Sequence, residues 1–110
     1  MAIKKIIKLV LCISAQDGII SQVELDTSFK LINDLVDKID RNTFNSVVKE
    51  FFDEESTLEE YIISIPQNID PNLVLKICHE SALSDGLEIR ENVAFDKACK
   101  FWGINPDIYS

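Results

Sequence analysis

Two short stretches of similar character constrain the fold of this chain more than any other feature. The stronger runs from Ala15 to Glu24 and contains Asp17-Gly18. A weaker copy, about 67 residues later, runs from Ala82 to Glu91 and contains Asp85-Gly86. Each stretch follows a strongly apolar segment and precedes an amphipathic one. Because glycine takes the left-handed conformation at a helix C-terminus without steric cost, each stretch predicts a sharp corner between two helices.

The segments on both sides of these corners predict helices and no strands. An Asp-Gly pair can also close a β-hairpin, but a hairpin needs alternating apolar and polar flanks, which are missing here. Ser21-Gln22-Val23-Glu24 is a capping box, which begins a helix by satisfying its unpaired amides. The apolar spacing and the caps predict helices over residues 3–16, 21–40, 42–53, 57–66, 71–83 and 88–102. The fold class is therefore predicted to be all-α.

The apolar faces of these helices predict which of them lie inside. Residues 3–16 and 71–83 lack a wide polar face, and a helix of that kind is typical of the centre of a protein. In residues 88–102 the inward side chains are predicted to be Val93, Phe95, Ala98, Cys99 and Trp102. The pattern indicates a compact bundle of about six helices, arranged as a pseudo-repeat of two helix-corner-helix units.

Length and composition limit the possible functions. The 110 residues are enough for one hydrophobic core, so residues 1–110 are predicted to form a single domain. The formal net charge of −8 repels phosphate backbones and argues against nucleic-acid binding. The apolar run near the N-terminus is too short to span a membrane, so no transmembrane segment is expected.

The three cysteines and the single histidine give little indication of catalysis. Cys12, Cys78 and Cys99 lie in apolar segments without the spacing of a zinc site, so we expect buried, reduced thiols. His79 has no identifiable nucleophile and acid as partners, and a packed histidine is the simpler interpretation. An enzyme is not expected.

The acidic residues of the corners allow two interpretations. Asp17, Glu24 and Asp85 can serve as helix caps that complement helix dipoles. Alternatively the two corners meet in space and their carboxylates converge on a divalent cation such as calcium, magnesium or manganese. A standard EF-hand is excluded, because Ile13 and Ala15 occupy positions where its first and third ligands are needed.

The order and spacing of these motifs resemble the TerB-like family, which includes the tellurite-resistance TerB proteins and the N-terminal domain of the co-chaperone DjlA. The resemblance rests on residues 14–25 and on residues 82–86, followed by a helix that ends Phe101-Trp102-Gly103-Ile104. It covers nearly the whole chain. The family fold is a compact all-helical domain with two such corners.

The resemblance implies a cytoplasmic, non-enzymatic module attached to larger complexes in stress response, chaperone recruitment or phage defence. It also implies that the acidic corners bind a divalent metal. Asp17 and Glu24 fit the first corner and Asp85 fits the second. Asn92, or Glu91 one residue earlier, takes the place of the second glutamate.

Two functional hypotheses follow. The first is an adaptor that docks to a protein partner, and the second is a divalent-cation sensor that uses the corner carboxylates. The oligomeric state is not indicated. Candidate docking residues are the acidic side chains and two C-terminal aromatic residues: Asp34, Asp37, Glu54, Glu55, Glu59, Trp102 and Tyr109.

Overall fold

The most apolar segment of the chain forms the central helix of the structure. The computed structural model describes residues 2–16, 18–84, 86 and 89–109. Within these ranges, helix α1 (Ala2–Ser14) packs against all five other α-helices. Those five are α2 (Gln22–Leu35), α3 (Arg41–Asp53), α4 (Leu58–Ser64), α5 (Pro71–Leu83) and α6 (Ile89–Phe101), and a 3-10 turn (Pro106–Tyr109) follows. The described part contains no strand, which confirms the all-α prediction.

The core lies between α1 and α5, as their lack of a polar face predicts. The side chains of residues 9–11 in α1 and 74–75 in α5 are fully buried. Burying one aliphatic side chain of this size stabilises a fold by about 1.5–3 kcal/mol, so these two helices dominate the apolar contribution. The radius of gyration is 12.5 Å, close to the value of about 13 Å expected for one globular unit of this length.

Three predicted helix starts are found in the structure. Ser21 Oγ accepts the amide of Glu24, and the Glu24 carboxylate accepts the amide of Ser21, which completes a capping box. Thr57 and Glu60 form the same reciprocal pair at the start of α4. At α5, Asp70 caps a helix whose first residue is proline. These local bonds satisfy orphan amides and fix where each helix begins.

The predicted end of α2 at about residue 40 is wrong, because the helix stops at Leu35. The amides of Val36 and Asp37 both donate to the carbonyl of Ile32, at 3.0 and 3.1 Å. The side chain of Asn33 then accepts the amide of Ile39 at 2.9 Å. A side-chain amide that competes for backbone groups ends the helix early, although the apolar spacing continues beyond it.

Helix α3 is capped by Asp40 and begins at Arg41, one residue before Asn42, where the predicted range 42–53 begins. Asp40 Oδ1 accepts the amide of Thr43 at 2.7 Å. Starting the helix at Arg41 lets its guanidinium lie over the rings of Phe29 and Phe44, at 5.0 and 5.4 Å from their centroids. The earlier start therefore gains a cation–π contact between α2 and α3.

In α6 the buried stripe differs from the predicted one at Val93, which is exposed. The fully packed positions are Glu91, Ala94, Phe95, Ala98 and Cys99. They recur at the three- and four-residue spacing of one helix face, and Val93 falls outside this spacing. The prediction failed because it placed the apolar Val93 in the interior and did not expect the charged Glu91 to be buried.

A network of charged side chains joins α1 to α3 and α4. The Lys8 ammonium donates to carboxylate oxygens of Glu50 and Glu54, and Lys4 pairs with Glu50 at 3.0 Å. The Tyr61 hydroxyl donates to the other oxygen of Glu54 at 2.9 Å. The hydrogen bond from Lys8 lowers the pKa of Glu54, while burial and the bond to Glu54 raise the pKa of Tyr61 to about 12. These bonds therefore link α3 and α4 to the central helix α1.

None of the helices in the described ranges has the length and apolar character needed to cross a bilayer.

Candidate functional site

The two corners have the same backbone geometry in their described parts. Gly18 and Gly86 adopt left-handed φ values of +90° and +83°. The amide of Gly18 donates to the carbonyl of Ala15 at 2.8 Å, and that of Gly86 donates to Leu83 at 3.1 Å. Each helix therefore ends in a turn that glycine can adopt without strain, as the sequence predicts.

Glu24 is the one predicted metal residue that the structure describes. Its side chain is only 5% exposed, which is unusual for a glutamate. One carboxylate oxygen accepts the amide of Ser21 at 3.0 Å, so the group closes the capping box at the start of α2. The capping interpretation of Glu24 is confirmed, and this bond leaves the metal interpretation open.

Glu91 occupies the corresponding place at the second corner. It lies in the first turn of α6 and is 2% exposed, whereas its neighbour Asn92 is exposed. Of the two residues that could take the place of the second glutamate, Glu91 is therefore the buried one. Each corner thus leads into a helix whose first turn carries an inward-facing glutamate.

A buried serine precedes each of these glutamates by ten residues. Ser14 and Ser81 are the last or nearly last residues of α1 and α5, and both are fully packed. Their hydroxyl groups form no hydrogen bond within the part of the chain that the structure describes. A buried hydroxyl without a partner costs about 1–3 kcal/mol, so the interior next to the corners is unusually polar.

The metal hypothesis needs more ligands than Glu24 alone. Asp17 and Asp85, the other two predicted ligands, lie outside the described residues. Among residues 2–16, 18–84, 86 and 89–109, no group of three or more Asp, Glu, His or Cys side chains is arranged to hold a metal ion. A divalent-cation site at the corners therefore stays a prediction.

The cysteines have the properties that the sequence predicts. All three are free and buried. Burial raises the pKa of Cys12 and of Cys99 to about 11, and it also raises the pKa of Cys78. At neutral pH these thiols are protonated, and the thiolate is the nucleophilic form.

The aromatic residues near the C-terminus pack against one another. The ring centroid of His79 lies 5.1 Å from that of Phe95 and 6.1 Å from that of Tyr109. The Tyr109 hydroxyl is within hydrogen-bonding distance of the side-chain and backbone oxygens of Asn72, at 3.0 and 3.3 Å. Tyr109 therefore attaches the C-terminal segment to α5, and His79 is a packed histidine.

The acidic candidates for docking fall into two groups. Asp34, Asp37, Glu55 and Glu59 are exposed, as the docking hypothesis requires. Glu54 is half-buried, because it is bonded to Lys8 and Tyr61. Its role in the structure is to hold helices together.

One apolar feature of the described surface was not predicted from the sequence. A groove of about 460 Å³ lies between α4 and α6, and an adjoining one of about 340 Å³ continues toward the start of α5. Both are lined by Ile63 and Phe101, which are 66% and 56% exposed. We call this surface the α4–α6 face, and its members are Glu59, Ile62, Ile63, Pro66, Lys97, Lys100, Phe101 and Trp102.

Adjacent apolar pairs in the sequence are the signal that could have located this face. Ile62-Ile63 and Phe101-Trp102 each place two large apolar residues next to each other at a helix. Neighbours along a helix point about 100° apart, so both cannot face the core fully. Ile62 is buried and Ile63 is exposed; Trp102 is half-buried and Phe101 is exposed. Of the predicted docking residues, Glu59 and Trp102 belong to this face.

No protein-family model, no curated protein and no solved structure matches the chain when it is compared with them. The TerB-like family therefore stays a prediction from residues 14–25 and 82–104.

Proposed function

We propose that this chain is a small non-enzymatic interaction module that docks to a protein partner through the α4–α6 face. The observation that carries the proposal is the pair of adjoining grooves lined by Ile63 and Phe101. Single exposed apolar residues are ordinary on protein surfaces, whereas contiguous ones mark interaction sites. These two residues connect both grooves into one continuous apolar surface.

The composition of the face suits a protein ligand. Aromatic side chains are frequent binding hot spots near the centre of an interface, and the rim around them is polar and accessible to solvent. Phe101 and Trp102 supply the aromatic centre, with ring centroids 5.8 Å apart in an edge-to-face arrangement. Glu59, Lys97 and Lys100 supply the charged rim.

The thiols and the histidine support a non-enzymatic role. The raised pKa values of the buried cysteines keep them in the poorly nucleophilic thiol form. His79 packs on Phe95 and Tyr109, where it holds the C-terminal segment. The resemblance to TerB-like proteins places such a module in a cytoplasmic stress-response or defence complex, and the charge of −8 makes nucleic acid an unsuitable partner.

The experiment compares two exposed phenylalanines. Phe101→Glu introduces a carboxylate into the centre of the α4–α6 face. Phe52→Glu is the control: it introduces a carboxylate on α3, outside this face, at a phenylalanine that is 57% exposed. Both rings pack edge-to-face on a neighbouring aromatic residue, so the two substitutions are matched in exposure and in the ring contact that they remove. Tagged variants are purified from the native host, and complex size is measured by light scattering.

We expect wild type and Phe52→Glu to retain the same associated protein, and Phe101→Glu to lose it with an unchanged circular dichroism spectrum. An associated protein that stays with Phe101→Glu would contradict the proposed docking face.

A divalent-cation sensor is the second candidate, and the burial of Glu24 and Glu91 favours it. Buried carboxylates are usually paired with a cation or with several hydrogen-bond donors. Calcium, magnesium and manganese are the hard cations that suit oxygen ligands, and Asp17 and Asp85 are the further residues proposed to complete the site.

Titration calorimetry of wild type, Asp17→Asn and Glu24→Gln with each of the three metals tests this candidate. Binding heat that disappears in both variants is expected. The absence of binding heat and of thermal stabilisation at millimolar metal would remove the cation hypothesis.

A further inference from the structure

We propose that the α4–α6 face binds a second copy of this chain, with a two-fold axis that runs along the groove. The inference rests on the proposed function, because it names the partner of the same docking face. Two properties of the face support it. One is its apolar centre, and the other is the separation of its charges onto opposite walls.

The apolar centre is suited to a self-complementary contact. In a two-fold interface, each residue of the patch meets the same patch of the other copy. Ile63 on α4 and Phe101 on α6 border the groove from opposite sides, and both are more than half exposed. A ring that projects from one copy can therefore cover the groove of the other. Both exposed side chains become buried in the same step.

The charges select one of the two possible face-to-face arrangements. The α4 wall carries Glu59, and the α6 wall carries Lys97 and Lys100. Rotation about an axis along the groove places the α4 wall of each copy over the α6 wall of the other. Rotation about the perpendicular in-plane axis would place like walls over each other, with acid against acid. Opposite charges across an interface fix the register, so the first arrangement is favoured.

The ion pair that these side chains form within one copy is weak, so it hardly opposes the formation of new ion pairs between two copies. Glu59 and Lys97 lie 3.7 Å apart, and their side chains are 62% and 59% exposed. An exposed pair of this kind contributes about 0–1 kcal/mol. Lys100 forms no ion pair with the described residues. Glu59 of one copy is therefore free to pair with Lys100 of the other at little cost.

Sedimentation velocity from micromolar to millimolar concentration tests the inference. The 12.5 kDa wild type and the Phe52→Glu control are expected to shift from monomer toward dimer with rising concentration. Phe101→Glu is expected to remain monomeric at every concentration. Circular dichroism melting of each variant separates a lost interface from a lost fold.

Charge reversal tests the arrangement of the two copies. Glu59→Lys makes both walls basic, and the double change Lys97→Glu with Lys100→Glu makes both walls acidic. Each variant is expected to stay monomeric alone, because like charges then oppose each other. An equimolar mixture of the two is expected to recover dimer, because one copy's basic walls face the other's acidic walls.

Distinct results separate this inference from the proposed function. A wild type that is monomeric at every concentration, or a dimer that Phe101→Glu leaves intact, overturns self-association through this face. If the wild type is monomeric but Phe101→Glu still loses a co-purifying protein, only the self-association inference fails. If Phe101→Glu changes neither mass nor co-purification, both proposals fail. A dimer that survives both charge-reversal variants overturns the two-fold arrangement.

Discussion

Lys8 provides the sharpest test of how the charged network holds this fold together. Its side chain is 12% exposed, and its ammonium group donates to Glu54 and to Glu50, the latter at 2.9 Å. Replacing it with methionine keeps the unbranched apolar stem but removes the charge. Two carboxylates, one on α3 and one immediately after it, then lose their shared donor at the surface of α1.

The expected loss follows from the degree of burial. Hydrogen bonds to charged groups contribute about 1.5–3 kcal/mol each, and breaking a fully buried pair costs about 3–5 kcal/mol. Glu50 is 46% exposed and Glu54 is 29% exposed, so water screens the remaining carboxylates. We therefore expect Lys8→Met to lower the free energy of unfolding by about 2 kcal/mol. For a domain of this size, that corresponds to a fall in Tm of roughly 10 °C.

Urea unfolding followed by circular dichroism measures the effect, and Lys4→Met serves as the control. Among the residues that the structure describes, Lys4 forms an ion pair with Glu50 alone, and its side chain is 38% exposed, so its removal should cost less than about 0.5 kcal/mol. In a double-mutant cycle with Glu54→Gln, the coupling energy should reach about 1 kcal/mol. Equal losses for Lys8→Met and Lys4→Met would refute the reasoning.

The pH dependence has a defined sign. The hydrogen bond from Lys8 holds the folded-state pKa of Glu54 below its ordinary value. Stabilisation from a lowered pKa is fully present above the unfolded-state pKa, about 4.3 for glutamate, and it is lost as pH falls through the folded-state pKa. The difference in stability between wild type and Lys8→Met should therefore shrink below about pH 4. A difference that stays constant to pH 2 would show that Glu54 is not the partner.

Further predictions concern a corner, a cap, an inter-helix contact and the thiols. Gly18→Ala should destabilise the fold by about 1–2 kcal/mol, because residue 18 has a left-handed φ of +90°. Gly18→Asn should cost less, because asparagine adopts this conformation more readily, and urea unfolding compares the two variants. Thr57→Ala should cost about 1 kcal/mol through loss of the α4 capping box, and an unchanged Tm would contradict this. Arg41→Gln should lower the free energy of unfolding by about 1 kcal/mol, because it removes the contact of the guanidinium with Phe29 and Phe44. An unchanged Tm in a thermal melt would contradict this expectation. The buried thiols should react with a disulfide reagent at pH 8 only when the protein unfolds, and rapid labelling of the native protein would disprove their burial.

Regular patterns in the sequence were sufficient to predict the central helices and the corners. The apolar runs in α1 and α5 admit few environments other than the interior, and both helices are found there. Gly18 and Gly86 mark turns because a left-handed residue is needed after the helix end, and both have positive φ. Where one local rule dominates, the sequence is a good guide.

The failures occurred where a side chain competed with a periodic pattern. The apolar spacing of α2 continues through Val36 and Ile39, but the Asn33 side chain binds a later backbone amide and the helix ends at Leu35. Tertiary packing decided the second case. Glu91 took an inward position in α6 because of its place in the helix stripe, and Val93 was left outside. Hydrophobicity alone does not reveal that a glutamate is buried while a nearby valine is exposed.

The candidate site was less predictable than the fold. Glu24 was expected at a helix start and is found there, where it also closes a capping box. The α4–α6 face depends on which member of the pairs Ile62-Ile63 and Phe101-Trp102 turns outward. That choice is made by the packing of two helices distant in sequence, so local patterns could not supply it.

The central position of α1 has a consequence for synthesis of the chain. During translation α1 emerges before α5, against which it packs and which is completed only at Leu83. Long-range contacts of this kind slow folding, because the intervening loop must close before they form. Until α5 has emerged, the face of α1 that packs against it stays uncovered, and exposed apolar surface of this kind makes a folding intermediate prone to aggregation.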